Sequence, residues 1–203
     1  SGIARFKQHD QSTGVVFSNA DYINANSEVI GNHNEILFEK GMVSEIAEGN
    51  IFAKLISRYF ICTPTMIIRK EVFDRLGGYD ESLAYEDFDF WIRSSRHWDY
   101  AYVDGVYMQK RKLETSMSAA RYRFLNNEQL SSTLRVCYKA FHLCKSQEEF
   151  QALRERLNYE YRQCLRNGAL DLADECLVML GRVGGHRDIQ SFLVRYTGKN
   201  FFR

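Results

Sequence analysis

Short apolar runs separated by polar turns dominate the first half of the chain, a pattern typical of a mixed α/β domain. The apolar run at residues 14–18 is bounded by polar residues and predicts a buried strand. The Asn-rich stretch at residues 24–34 predicts irregular chain or a small hairpin. Apolar residues recur at helical spacing between 51 and 59 and predict a helix. The only proline, Pro64, predicts a break in the extended chain that follows.

The middle of the chain predicts two helices joined by a sharp turn. Residues 71–76 have the composition of a short helix, and Gly77 stands where a left-handed C-terminal cap would lie. A second helix is predicted over residues 86–97. After it, two short apolar segments flank an Asp-Gly dipeptide at residues 104–105. Because this dipeptide favours tight turns, the sequence predicts a β-hairpin there.

The last part of the chain shows only helical periodicity. One apolar stripe lies between residues 130 and 141. A second helix is predicted to begin with a capping box at Ser146 and to stop at residues 167–168. A third is predicted to end before Gly181, and a fourth to cover residues 189–196. No signature recurs at a fixed period, so we expect a generic bundle of antiparallel helices with short loops.

Composition narrows the classes of partner. The 203 residues carry 27 Lys and Arg against 26 Asp and Glu, so no overall field favours a nucleic acid or an anionic membrane surface. The apolar runs fall short of the roughly 20 residues that a membrane span requires. We therefore expect no nucleic-acid partner, no membrane span, and a cytoplasmic protein whose full-length form can lie at the membrane periphery. Exposed apolar surface is the expected route to a homo-oligomer.

Five cysteines are present, and none belongs to a CxxC pair. This odd set argues against a disulfide framework and fits a reducing compartment. Cys137, His142 and Cys144 can be imagined as metal ligands, but the two cysteines lie seven residues apart on an apolar helical stripe. Core packing is the favoured interpretation, and no zinc site is predicted.

Acidic, aromatic and turn residues are most densely combined at residues 76–93. Asp87 is placed near the start of a helix, beside Trp91, where a partly shielded general base could be built. The helix dipole would lower its pKa and burial would raise it, and the sequence leaves that balance open. Metal chelation by Asp87 and Asp89 is disfavoured, because residues two apart on a helix point to nearly opposite sides. From the residues alone, a capped helix with an ordinary i,i+4 pair between Asp89 and Arg93 is favoured.

Four segments carry a family resemblance through their order and spacing: residues 15–23, 65–73, 77–81 and 86–93. The stretch from Val15 to Ser118 resembles the carboxyl-terminal half of the catalytic domain in family-two glycosyltransferases of the GT-A fold, which use nucleotide-sugar donors. The resemblance implies that Asp87 is the catalytic base and that Glu86 faces the acceptor. It also places Tyr85 and Trp91 in the substrate site.

The resemblance implies an inverting transfer, in which Asp87 takes a proton from the acceptor hydroxyl as a nucleoside diphosphate leaves. It implies a divalent metal, Mn or Mg, on an Asp-x-Asp motif of an amino-terminal half that does not precede Val15 here; the metal is expected only in the full-length enzyme. Past the last strand, Arg111 and Ser116 match the family, whereas Leu113 stands where a His is usual. Arg111 is expected to face the diphosphate.

We therefore expect an α/β protein, α+β within this piece. Residues 1–118 would form an incomplete GT-A fold that lacks the amino-terminal nucleotide-binding half, and residues 119–203 a small helical bundle. The parent enzyme would transfer sugar from a nucleotide sugar to a glycan or other hydroxyl acceptor in glycan or polysaccharide synthesis, and the piece alone would be inactive. Two alternatives remain open: a non-catalytic module whose helices dock a partner, and a purely structural domain.

Overall fold

The computed structural model describes residue 6, residues 12–113 and residues 128–184. The chain divides into two units, residues 1–121 and residues 122–203, each considered by itself. The first unit contains β1 (Thr13–Ile23), β2 (Val29–Asn32), α1 (His33–Glu39), α2 (Phe52–Ser57), a 3-10 turn (Thr63–Thr65), β3 (Ile67–Ile68), α3 (Lys70–Leu76), α4 (Glu86–Ser95) and β4 (Asp99–Arg111). The second contains α5 (Glu128–Leu143), α6 (Gln147–Arg166) and α7 (Leu170–Gly184). The predicted domain boundary at residues 118–119 lies outside the described residues.

β1 is the central strand of a four-stranded sheet. It runs parallel to β4, from the pair Thr13 and Asp99 to the pair Ile23 and Arg111. On the opposite edge, β3 pairs with the first half of β1 and β2 with its end, both antiparallel. Consecutive residues of β1 point to opposite faces, and the first six are all buried, so both faces of the strand are covered there, which suits an unbroken apolar run. The buried strand predicted at residues 14–18 is therefore confirmed.

The hairpin predicted around residues 104–105 is wrong. β4 is one strand, and both of its halves pair with the same neighbour, β1. The register passes from Ser18 opposite Val103 directly to Asn19 opposite Val106, so the Asp-Gly dipeptide is an insertion in the ladder. The positive φ of 123° at the glycine accommodates this bulge, which bends β4 without reversing it.

Local signals placed most other elements of the first unit correctly. The Asn-rich stretch forms the β1–β2 hairpin, and the helix expected from residue 51 onward is α2. Gly77 ends α3 in the left-handed conformation, with a φ of 73°. Helix α1 was not predicted. It begins because the Asn32 side chain accepts a hydrogen bond from the backbone N–H of Glu35 and thereby caps the helix.

Helix α4 buries more of its surface than expected. Asp89, expected in an ordinary i,i+4 pair, is 0% exposed, and its carboxylate lies 2.7 Å from Nε of Arg93. Arg93 also donates to the backbone carbonyls of Leu76 and Gly78. The ordinary helix-surface pair expected from the sequence is instead a buried ion pair that ties α4 to the turn after α3. This tie fixes the chain that leads to the acidic segment.

In the second unit, α6 packs against both α5 and α7. The capping box at Ser146 is confirmed, with Glu149 as its partner. The predicted end before Gly181 is wrong, because α7 continues through this glycine to Gly184. The fourth predicted helix, at residues 189–196, lies outside the described residues.

The cysteines carry no disulfide: Cys62, Cys137, Cys164 and Cys176 are buried, and Cys144 is partly so. Across the described ranges, no three His, Cys, Asp or Glu side chains are grouped to hold a metal ion. No helix within those ranges combines the length and apolar character needed to cross a bilayer.

Candidate active site

Helix α4 begins at Glu86, after the non-helical Tyr85, and Asp87 is its second residue. Its carboxylate is half-buried, and the hydroxyl of Thr63 donates a 2.8 Å hydrogen bond to Oδ2. Within the described residues, no backbone N–H donates to this carboxylate. Thr63 opens the 3-10 turn that contains Pro64. Sequence reasoning marked this turn only as a break and missed Thr63 as a partner of Asp87.

The pKa of Asp87 is raised above its usual range. Burial is the largest cause, and the negative charge of Glu86 acts in the same direction. The hydrogen bond from Thr63 and the positive charge of Lys110 oppose the rise. The net direction is therefore upward, as expected where burial is the larger influence on this carboxyl group. A carboxyl group with a raised pKa is a stronger base than an exposed aspartate.

Lys110 is the residue of β4 whose positive charge acts on Asp87. The same charge acts on the buried thiol of Cys62 and on His33, so Lys110 is near enough to influence all three. Nothing in the sequence favours Lys110 over its neighbour Arg111. Successive residues of a strand point to opposite faces, and the register that decides between them is set by β1.

Arg111 holds the β1–β2 turn. Its guanidinium donates to the backbone carbonyls of Asn24 and Ala25 and, over 2.9 Å, to the hydroxyl of Ser27. In the described part of the chain, Arg111 makes no hydrogen bond or ion pair with Asp87. The role expected for it, facing a diphosphate, remains a prediction that would require these turn contacts to be given up.

Tyr79 lies near Glu86 and Asp87, the first two residues of α4. Burial, followed by the charges of Asp87 and Glu86, raises the pKa of its hydroxyl. Its ring packs on Phe73 and Phe90, with centroids 5.5 and 4.9 Å away. Tyr79 directly follows the glycine turn after α3, which positions it here. Sequence reasoning assigned no role to Tyr79.

Tyr85 and Trp91 belong to an aromatic cluster that Tyr59 completes. The ring centroid of Tyr59 lies 5.6 Å from that of Tyr85 and 6.5 Å from that of Trp91. Tyr85 is 9% exposed and Trp91 only 2%, whereas Tyr59 is half-buried. Trp91 is therefore on the buried side of the cluster. Tyr59 is the most accessible of the three rings to a ligand in this conformation, and the sequence did not single it out.

His33 is close enough to Lys110 for the lysine charge to act on it. Its Nε2 lies 2.9 Å from the carbonyl oxygen of Phe60, which can only accept, so Nε2 is the protonated nitrogen. Nδ1 then accepts from the hydroxyl of Tyr22, 2.8 Å away. Burial, with help from nearby lysines, lowers the pKa of His33 and keeps the ring neutral. The imidazole orients neighbours and adds no charge.

The described residues do not fit a divalent cation. Asp89 is engaged by Arg93, so Asp87 and Asp89 cannot chelate together. Glu86 and Asp87 are the carboxylates of the site, and their neighbour is the Lys110 ammonium rather than a third oxygen ligand. These side chains therefore do not form a site for Mn or Mg, the metal that the resemblance implies for the full-length enzyme.

Comparison with known proteins identifies a family. No curated protein matches the chain. A model of glycosyltransferase-like family 2 matches residues 3–166, a range that contains every candidate residue above and continues through α6. That range is well over half of the chain and confirms the resemblance, so the chain belongs to glycosyltransferase-like family 2.

Proposed function

We propose that this chain forms the acceptor side of a glycosyltransferase that uses a nucleotide sugar, with Asp87 as the general base. Family membership supports glycosyl transfer in general. The observation that carries the finer assignment is the half-buried carboxylate of Asp87, held by Thr63 and given a raised pKa. The acceptor would be a glycan or another hydroxyl compound, in glycan or polysaccharide synthesis.

The proposed step is an inverting displacement. The acceptor oxygen forms a bond to the anomeric carbon as the bond from that carbon to the diphosphate breaks, and the electron pair leaves with the diphosphate. Asp87 receives the hydroxyl proton. Because Thr63 occupies Oδ2 and Oδ1 has no hydrogen-bond partner in the described part of the chain, Oδ1 is the atom that takes the proton.

Burial adjusts the base for this step. A carboxylate in water is a weak base, and the loss of solvent around Asp87 raises its proton affinity. The hydrogen bond from Thr63 favours the carboxylate form and fixes the orientation of the carboxylate. The charge of Lys110 also favours the carboxylate form. The site thus combines a strengthened base with two groups that favour its ionised form.

The aromatic cluster supports the assignment of the acceptor side. Tyr59 lies at the accessible side of the cluster that reaches Tyr85, next to the base in α4. Aromatic faces pack well against the apolar C–H surfaces of sugar rings, and a phenol adds a hydrogen-bonding hydroxyl. We propose that Tyr59 carries the acceptor ring and that Trp91 supports it.

The test is the Asp87→Asn variant made in the full-length natural protein. This form is used because donor binding is expected to involve residues beyond those described. We expect kcat to fall by about 100-fold to 10,000-fold, with little change in the KM for the donor. Asp74→Asn is the matched control, because Asp74 is exposed and, within the described residues, pairs only with Lys70. Retention of transfer by a folded Asp87→Asn protein would overturn the base assignment and favour the non-catalytic or structural alternatives.

A further inference from the structure

Tyr79 packs on helix α4 at the turn that carries the two acids. Its ring centroid lies 4.9 Å from that of Phe90 and 5.5 Å from that of Phe73. Helix residues three and four positions apart share a face, so Phe90 is on the same face as Glu86 and Asp87. Side chains of a helix lean toward its N-terminus, which brings the Phe90 ring over the turn that contains these acids. The Tyr79 ring, packed on Phe90, therefore lies at the level of the two carboxylates.

The backbone directly before Tyr79 is held from two sides. The carbonyl oxygen of Gly78 accepts a 2.8 Å hydrogen bond from the guanidinium of Arg93 in α4. The N–H of Gly78 donates to the carbonyl oxygen of Phe73 in α3 over 3.1 Å. Because its neighbour in the chain is bound to both helices, Tyr79 has little freedom to move away from the acids.

The hydroxyl of Tyr79 is a donor without an acceptor in the described part of the chain, although the side chain is partly buried. Burial and the charges of Asp87 and Glu86 raise its pKa, so the phenol keeps its proton at neutral pH. Glu86 likewise makes no hydrogen bond or ion pair among the described residues. An alcohol hydroxyl both donates and accepts. A phenol that donates and a carboxylate that accepts can therefore bind one such hydroxyl together.

We infer that Tyr79 donates a hydrogen bond to a second hydroxyl of the acceptor, next to the one that Asp87 deprotonates, and that Glu86 accepts the hydrogen of this second hydroxyl. The inference rests on the proposed function and deepens it, because it names the class of acceptor: a compound with hydroxyls on neighbouring carbons. The reacting hydroxyl gives its proton to Asp87, whereas the second hydroxyl keeps its own and orients the acceptor. A site built to bind a substrate hydroxyl rejects an analogue that lacks it, since the protein groups are then left unpaired.

The experiment is a saturation-transfer NMR titration of the full-length natural protein with cyclic alcohols. The cis and trans isomers of cyclohexane-1,2-diol carry neighbouring hydroxyls, and cyclohexanol has the same ring with a single hydroxyl. The wild type should bind at least one diol about fivefold more tightly than cyclohexanol, as expected for one additional hydrogen-bonded hydroxyl. Tyr79→Phe should reduce this preference to less than about twofold, because it removes the donor and keeps the ring. A wild-type protein that prefers neither diol would refute the inference.

Tyr107→Phe is the matched control for the loss of a phenol hydroxyl. Tyr107 is 62% exposed, and within the described residues its hydroxyl contacts only the carbonyl oxygen of Asp104. This variant should keep the diol preference of the wild type. Thermal denaturation separates binding from folding: Tyr79→Phe should melt close to the wild type, whereas Tyr79→Ala should melt lower because it loses the packing on Phe73 and Phe90. Equal losses in the two Tyr79 variants would show that the hydroxyl serves the fold, and the inference would fail.

Failure of this inference is distinguishable from failure of the base assignment. Asp87→Asn keeps a side-chain oxygen that can accept from the acceptor, so its diol preference should persist while its kcat for transfer falls. A Tyr79→Phe protein that binds the diols like the wild type overturns the inference and leaves Asp87 as the base. Transfer retained by Asp87→Asn, together with a diol preference that depends on Tyr79, removes the base assignment and leaves the hydroxyl-binding role of Tyr79.

Discussion

The hydroxyl of Thr63 donates a 2.8 Å hydrogen bond to the carboxylate of Asp87 across a sequence separation of 24 residues. The bond links the 3-10 turn that contains Pro64 to the first turn of α4. Proline restricts the backbone of this turn, so Thr63 is presented to the carboxylate with little conformational freedom. The orientation of the proposed base is thereby set from outside its own helix.

Thr63→Val should raise the pKa of Asp87 further. The hydroxyl stabilises the ionised carboxylate, and valine keeps the shape of the side chain without the donor. A carbon-detected NMR titration of the Asp87 carboxyl group would measure the shift. Thr133→Val is the control, because among the described residues that hydroxyl bonds only to the carbonyl of Gln129 within α5. A pKa that stays constant or falls would show that the hydrogen bond does not stabilise the charged form.

Glu86→Gln and Lys110→Gln should move the pKa of Asp87 in opposite directions. Removing the negative charge of Glu86 favours ionisation of Asp87, so its pKa should fall. Removing the positive charge of Lys110 disfavours ionisation, so its pKa should rise. In a transfer assay, the acidic limb of the pH profile should shift the same way in each variant. Shifts of the same sign in the two variants would contradict the placement of these two charges around Asp87.

Features fixed by neighbours in sequence could be predicted, and those fixed by distant contacts could not. The glycine cap of α3 and the capping box at Ser146 were readable because their partners lie within a few residues. An Asp-Gly dipeptide such as that in β4 is expected both in a hairpin turn and in a bulge, so the sequence alone does not distinguish them. Pairing with β1 decides between the two, and the same pairing decides on which face of β4 Lys110 and Arg111 lie.

The candidate site also combines features that the sequence could predict with features set by distant contacts. The residue pattern placed Asp87 near the start of a helix, the resemblance made it the expected base, and the structure supplies two groups that act on it, Thr63 and Lys110. Tyr79 lay inside a recognised motif, yet its position beside the acids depends on packing against Phe73 and Phe90. Side chains brought together by tertiary packing leave no periodic or spacing signal in a single sequence.

Asp89→Ala should destabilise the protein by about 3 kcal/mol, as found when one partner of a buried ion pair is removed. Asp89 is fully buried, and its loss leaves Arg93 without its carboxylate between α4 and the turn after α3. Urea denaturation would measure the change. Asp74→Ala is the control, because it breaks an exposed i,i+4 pair with Lys70 and should cost less than about 1 kcal/mol. Equal losses in the two variants would refute the structural role given to Asp89.

Asp87→Asn should make the folded protein more stable at neutral pH while it lowers kcat. The pKa of Asp87 is raised by folding, so protons bind this group more tightly in the folded state than in the unfolded one. Its contribution to stability is therefore present below the unfolded pKa and is lost as pH rises through the higher folded pKa. Asparagine carries no charge and avoids that loss. Thermal denaturation of both proteins should show the advantage of Asp87→Asn at about pH 7 and its disappearance near about pH 3, where wild-type Asp87 is protonated in both states. An advantage that persists unchanged in acid would mean that burial of the charge is not its cause.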